Sequence, residues 1–293
     1  MSDRQKRIVN RVVNAAFLCC VSALGLFLAQ LLCLASFKIP SDSMEPSLVA
    51  GDYVLVDKLS TGARLFDVAD ALDGKEVDIF RMPGWRGFRH NDVLVFNFPY
   101  PGRWDSIAFD VLTYYVKRCV AVPGDTLEIR DTRYRVSGFD GIPGNVQAQE
   151  RLGNLISSGR AEEMGMSLRC FPDDARVGWT IQEFGPLYVP AKGGVAEMDA
   201  KNGLLYRNLI EWEQKKKLRV RGDTVWLGDS VIRSYRFRED YYFVSGDRLS
   251  NSQDSRYWGL LPEPFIVGRA VRIWKPVDHR GKTRWVRVWK RVE

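Results

Sequence analysis

Three short segments of this 293-residue chain carry residue types that can do chemistry together. In the first, Ile39-Pro40-Ser41-Asp42-Ser43-Met44-Glu45-Pro46-Ser47-Leu48, Ser43 stands between two prolines and next to an apolar residue, just ahead of a strand-like run. Proline fixes its own φ and restricts the residue before it, so the serine backbone is held in a defined geometry. Taken alone, such a segment is more often an ordinary turn than the seat of a nucleophile. In the second segment, Lys117 lies within the apolar run Tyr114-Tyr115-Val116-Lys117-Arg118-Cys119-Val120, which Pro123-Gly124-Asp125 closes. Burying an ammonium without a partner is costly, and burial lowers a lysine's pKa toward a neutral amine able to take a proton from a serine. The competing arrangement is a strand-edge lysine with its stem packed and its head in water. The third segment, Gly246–Gly259, crowds Ser250, Ser252, Asp254, Ser255 and Arg256 behind an aromatic run. It can hold a hydroxyl against a catalytic group and brace it with an Asp–Arg pair, or it can be a structural turn with a surface ion pair.

The elements that must position these residues begin with an anchor. Residues 15–37 carry no charge, and as a helix they extend roughly 34 Å, enough to cross a bilayer's hydrocarbon core. A cleavable leader has a shorter apolar region ending in an A-x-A-like site, which Cys33-Leu34-Ala35 does not supply, so an uncleaved transmembrane helix is expected. Residues 1–14 precede it with a net charge of +3, which places the N-terminus in the cytoplasm and everything after Phe37 on the outer face of the cell membrane.

Beyond the anchor the chain reads as mainly β. Tyr53–Val56, Val93–Phe98, Tyr114–Val120 and Tyr241–Val244 are short β-branched and aromatic runs bounded by Gly-Asp, Asn-Asp and Pro-Gly-Asp turns. Trp285-Val286-Arg287-Val288-Trp289 alternates like a further strand. Residues 131–240 differ in texture, with Gly-rich turns and one expected helix over about 199–217. They read as a larger second lobe inserted into a β core made of 38–130 and 241–293. The net charge of +7 is concentrated at the two ends, leaving a slightly acidic middle, which argues against nucleic acid as a partner. Two histidines, His90 and His279, leave little material for a His-centred triad, and no cysteine pair has C-x-x-C spacing, so no metal site is expected. Cys119 and Cys170 read either as buried thiols or as a disulfide.

In this order and behind this anchor, S-D-S-M-E-P-S-L, G-D-Y-V-L-V-D-K, Y-V-K-R-x-V-x-V-P-G-D and G-D-x-x-x-N-S-x-D-S-R-Y-W-G resemble type I signal peptidases. The resemblance runs from the anchor to about Arg269; the intervening lobe matches only loosely, as in Gly185–Pro190. It implies two antiparallel β regions, the larger inserted in the catalytic one. It also implies Ser43 as nucleophile and Lys117 as general base. Ser41 and the Ser43 N–H would form the oxyanion hole. Ser252 would orient the lysine, with Asp254 and Arg256 bracing the site, and Ile39, Met44 and Tyr115 would wall the substrate pocket. Two departures stand out: Arg248-Leu249 replaces the usual Asn-Arg, and Asp42 stands where a glycine is common. Alternation along an extended segment points the Asp42 carboxylate away from both serines.

The activity so implied is hydrolysis of signal peptides from exported preproteins after small residues, by acyl transfer to serine and without a cofactor. The substrate would lie as an added strand between Ile39–Ser43 and the Lys117 run. Trp274, Trp285 and Trp289, among the C-terminal basic residues, would either rest at the lipid interface or fill the core. A LexA-like self-cleaving protease also pairs Ser-Met with a lysine, but the anchor, Pro-Gly-Asp and the Asp-Ser-Arg-Tyr-Trp-Gly loop argue against it. An inactive membrane-tethered scaffold would be expected to have lost Ser43, Lys117 or Ser252, and all three are present.

Overall fold

The computed structural model describes residues 3–293; residues 1 and 2 of the expected cytoplasmic segment lie outside it, as do the side chains of residues 3, 4, 9 and 28–31. The chain opens with helix α1, Asp3–Leu32. Among the described residues it is the one helix long and apolar enough to cross a membrane, with its candidate span at Gln5–Phe27.

The expected span of 15–37 needs correcting at its far end. Leu34–Lys38 is not helix but strand β1, hydrogen-bonded along its length to β2, Asp52–Asp57. Unbroken apolar character hid this boundary, because a buried strand and a membrane helix look alike by composition. Cys33 alone separates helix from strand, and its carbonyl accepts from the Lys58 and Leu59 N–H groups.

Five more strands complete the main sheet: β3 (Val93–Asn97), β4 (Tyr114–Ala121), β5 (Tyr241–Ser245), β6 (Leu261–Pro262) and the long β7 (Ile266–Pro276). The seven strands are ordered β1-β2-β7-β3-β4-β5-β6, and every neighbouring pair is antiparallel. The sheet curls enough to bring the Phe37 ring of edge strand β1 within 4.9 Å of the Tyr114 ring of β4. One face packs Ile39, Met44, Leu48, Val54, Val56, Val95 and Ile273 into a core cluster. The other packs Phe96, Phe98, Trp258 and Phe265.

Between β4 and β5 the chain builds several smaller sheets. The first comprises Thr126–Arg130, Arg133–Val136 and Phe184–Tyr188. The single helix expected over about 199–217 is two, Ala200–Leu205 and Arg207–Gln214, broken at Tyr206, which is buried with its hydroxyl donating to the Tyr188 carbonyl. Cys119 and Cys170 are both buried unbonded thiols in separate core clusters.

The C-terminal alternation misled: Trp285–Arg287 is a 3-10 turn, not a strand. Trp285 is 79% exposed and Trp289 57%, which rules out a core role for both. Arg287 turns inward instead, donating to the fully buried Asp52 carboxylate (Nη2–Oδ2 2.5 Å) and to the Ser47 carbonyl (3.0 Å). Part of the expected basic tail therefore braces the loop that carries Ser43.

Candidate active site

Ser43 lies in the turn between β1 and β2, its backbone tied from two sides. Upstream, Ile39 exchanges backbone hydrogen bonds with Asp52 and Gly51; beyond Ser43, its own carbonyl accepts from the Arg248 N–H at 2.9 Å. Lys117 comes from β4, where it is paired to Leu94 of β3. The two meet: Lys117 Nζ donates to Ser43 Oγ at 2.6 Å, with Lys117 only 4% and Ser43 8% exposed. Burial pulls the Lys117 amine down to about 8, with Asp254 opposing and Arg256 reinforcing the shift. Of the two arrangements open to Lys117 from its sequence, the buried amine is the one found. Ser41 Oγ lies 3.3 Å from Ser43 Oγ.

The loop after β5 closes the site from below. Asp254 is fully buried and accepts from the Gly246 N–H (3.0 Å) and from Arg256 Nε (2.8 Å) and Nη2 (2.9 Å); Arg256 also reaches the Leu249 carbonyl. Burial pushes the Asp254 carboxyl up, but the Arg256 charge and hydrogen bonds outweigh it and hold it below the usual range. Ser252 is buried beside them, yet its Oγ makes no hydrogen bond among the described residues. The expected Ser252-to-lysine hydrogen bond is not made in this geometry, in which Lys117 donates to Ser43. Gly246 explains the tightness: a Cβ there would sit 2.2 Å from Ser252 Oγ and 2.6 Å from the Ser43 carbonyl oxygen.

Three contacts around the site were not foreseen, although their residues stand in the sequence motifs. Arg118, next to Lys117, is buried and grips Asp247 through Nε (2.7 Å) and Nη2 (2.6 Å), while also donating to the Asn91 and Glu293 main-chain oxygens and to Ser47 Oγ. Asp42 does turn toward partners of its own: Arg248 Nη1 and Asn251 Nδ2 (2.9 Å) both donate to its carboxylate. The two departures noted in the sequence are therefore one ion pair. The third is Gly246. Only the Gly-Asp dipeptide and the run of charge after it hinted at any of these.

A cleft of about 580 Å³ runs over the site, lined by Phe37, Leu112, Tyr115, Lys117, Asn251 and Gln253 among others. Tyr115 forms a wall as expected, its ring stacked on Phe98 at 4.4 Å. Ile39 and Met44 do not line it; both side chains pack into the core beneath, 2% and 1% exposed. In β4, Tyr114–Lys117 pair with β3 on one side, whereas β5 joins the other side only from Arg118 onward. That leaves a free strand edge facing the cleft, the geometry an extended peptide needs for β-augmentation.

A family model described as signal peptidase, peptidase S26, matches residues 9–275. The chain is 26% identical over 271 residues to a protein named signal peptidase I from Buchnera aphidicola subsp. Acyrthosiphon pisum, covering 89% of this chain and 74% of that one. It is 28% identical over 248 residues to the signal peptidase I of Pseudomonas aeruginosa (81% and 63%). It is 27% identical over 242 residues to that of Aquifex aeolicus (82% and 75%).

Proposed function

The chain belongs to the signal peptidase family, peptidase S26, and so is a serine-type endopeptidase that cleaves signal peptides; from that premise we propose that Ser43 and Lys117 form its catalytic pair. The observation that carries this reading is the 2.6 Å hydrogen bond between two buried groups, one of them an amine whose pKa is lowered to about 8. Near neutral pH a workable fraction of that amine is free base, whereas an ordinary lysine near 10.4 is almost wholly protonated.

In the first half-reaction Lys117 Nζ takes the Ser43 hydroxyl proton as Oγ attacks the scissile carbonyl. The tetrahedral oxyanion receives hydrogen bonds from the Ser43 N–H and from Ser41 Oγ. The Lys117 ammonium then gives its proton to the departing amine, the C–N bond breaks, and an acyl-enzyme ester remains. Water, deprotonated by the same amine, attacks that ester; the acyl C–Oγ bond breaks, the lysine returns its proton to Ser43 Oγ, and the signal peptide leaves with a new C-terminal carboxyl group. Ser252 Oγ, buried and unengaged, is free to accept from Lys117 once the lysine has turned from Ser43 during this cycle.

The substrate's residues before the cut lie between the free edge of β4 and residues 39–43, with Ala-x-Ala-type sites preferred. The enzyme is anchored by α1 in the cell membrane with its N-terminus cytoplasmic and its catalytic sheets outside, where it meets exported preproteins. Trp274, whose indole donates to Ser36 Oγ in β1 (2.8 Å), stands beside the anchor's exit, a position suited to the lipid interface. The test is cleavage of a synthetic peptide bearing an Ala-x-Ala site by the detergent-solubilised protein. Cleavage after the second Ala by the wild type, and none by Ser43→Ala at unchanged melting temperature, is expected. Substantial cleavage by Ser43→Ala would remove Ser43 from its role.

A further inference from the structure

The cleft over Ser43 does not stop at the nucleophile. Asn251 and Gln253, at its far end, also line a second groove of about 570 Å³, which continues between the loop after β5 and residues 165–173. Its walls include Trp104, Met166, Arg169 and Tyr257. Trp104 is 47% exposed, and the Arg169 charge is neutralised by Asp173 at 2.6 Å. The lining therefore mixes polar groups (Ser167, Ser250, Asn251, Gln253) with apolar and aromatic ones (Trp104, Met166, Tyr257) and carries little net charge. It suits extended polypeptide of mixed sequence better than a charged small molecule.

Two observations fix which part of a substrate would lie there. The cleft's near end, at Phe37, sits on β1, five residues past the end of the anchor helix at Leu32, so the portion of a preprotein coming from the membrane enters at that end. The portion after the cut must then leave past Ser43. On one flank the exit is walled off: Arg248 bridges Asp42 and Glu45, and Asn251 ties to Asp42, which separates the cleft from a cavity bordered by Glu45, Arg151 and Arg287. On the other flank, Asn251 and Gln253 border both the cleft and the second groove.

We propose that this second groove binds the first residues of the mature protein, on the far side of the scissile bond, and so adds affinity and selectivity that the catalytic cleft alone does not supply. This rests on the protease reading above. Its walls come partly from the segment between β4 and β5, so it is a feature of this chain's own insertion.

The experiment uses the detergent-solubilised full chain and two peptides with the same Ala-x-Ala site and upstream sequence. One ends a single residue past the cut; the other extends about six residues further, roughly 20 Å of extended chain. For the wild type, kcat/KM is expected to be about tenfold or more higher for the long peptide, carried mainly in KM. Trp104→Ala, which strips a wall, and Ser167→Trp, which fills the groove from an exposed position, should each bring the long-to-short ratio toward one. Equal cleavage of the two peptides by the wild type overturns the proposal, as does a ratio that both variants leave intact. Failure of the wild type to cut either peptide instead overturns the protease reading.

Discussion

At the scale of single residues, the proposed role of Lys117 predicts effects on stability as well as on rate. Activity requires the free amine, so kcat/KM should rise with pH through about 8; a rising limb at an imidazole-like pH, abolished by His90→Ala, would refute the dyad. The folded-state pKa lies below the unfolded value near 10.4, so between about 8 and 10.4 the unfolded chain binds more protons and stability rises with pH. Lys117→Met keeps the volume and removes the amine. It should abolish cleavage and flatten that pH-dependent rise, measured as the difference between wild-type and variant melting curves across the window. Ser41→Ala should lower kcat by about 10²–10³ with little change in KM, since its hydroxyl is worth most when charge develops on the substrate oxygen; equal losses in binding and turnover would point elsewhere. Lys117 stood out in sequence because a lysine in an apolar run is costly to bury without a partner, whereas the serines gained a proposed role only through the family resemblance. The Asp42–Arg248 pair was not legible. Its members lie about two hundred positions apart, and no local rule links a turn carboxylate to a guanidinium so far along the chain.

At the scale of elements, the loop after β5 acts as a template pressed against the nucleophile's turn. Gly246 is where the two come closest, and there is no room for a methyl group. Gly246→Ala should cost about 1–3 kcal/mol in stability by overpacking, yet lose far more in kcat, because Ser252 and the Ser43 carbonyl are the atoms displaced. Urea unfolding in detergent set beside turnover separates the two effects, and a loss of activity no larger than the loss of folded protein would make Gly246 merely structural. Asp254→Asn should be worse for folding, about 3–5 kcal/mol, because it leaves the buried Arg256 guanidinium without its counter-charge. The strands themselves were readable from β-branched runs between turn dipeptides, and all four central ones form. Misreadings fell where one pattern fits two structures. Trp285–Trp289 alternates with period two, but its arginine is drawn inward by Asp52 and the backbone turns to follow it. Leu34–Phe37 is as apolar as the helix before it, and only pairing with β2 distinguishes strand from span.

At the scale of the whole molecule, the catalytic sheet is joined to the anchor with no slack. Only Cys33 intervenes, and two backbone hydrogen bonds clamp it. Inserting a flexible Gly-Ser stretch of about six residues between Leu32 and Leu34 should leave cleavage of soluble peptides unchanged, while slowing processing of a preprotein in proteoliposomes, where the site and the membrane-borne segment must meet. Undiminished processing in the vesicles would show that the rigid junction is not needed. The contacts of Arg118 have a consequence for the order of synthesis. The guanidinium beside the general base is held at once by residues from positions 47, 91, 247 and 293. Ser43 leaves the ribosome early, yet the strand that carries its proposed base is not fully secured until Asp247 and Glu293, far along the chain, have docked. A growing polypeptide would therefore carry Ser43 well before Asp247 and Glu293 have emerged to hold the strand of its proposed base.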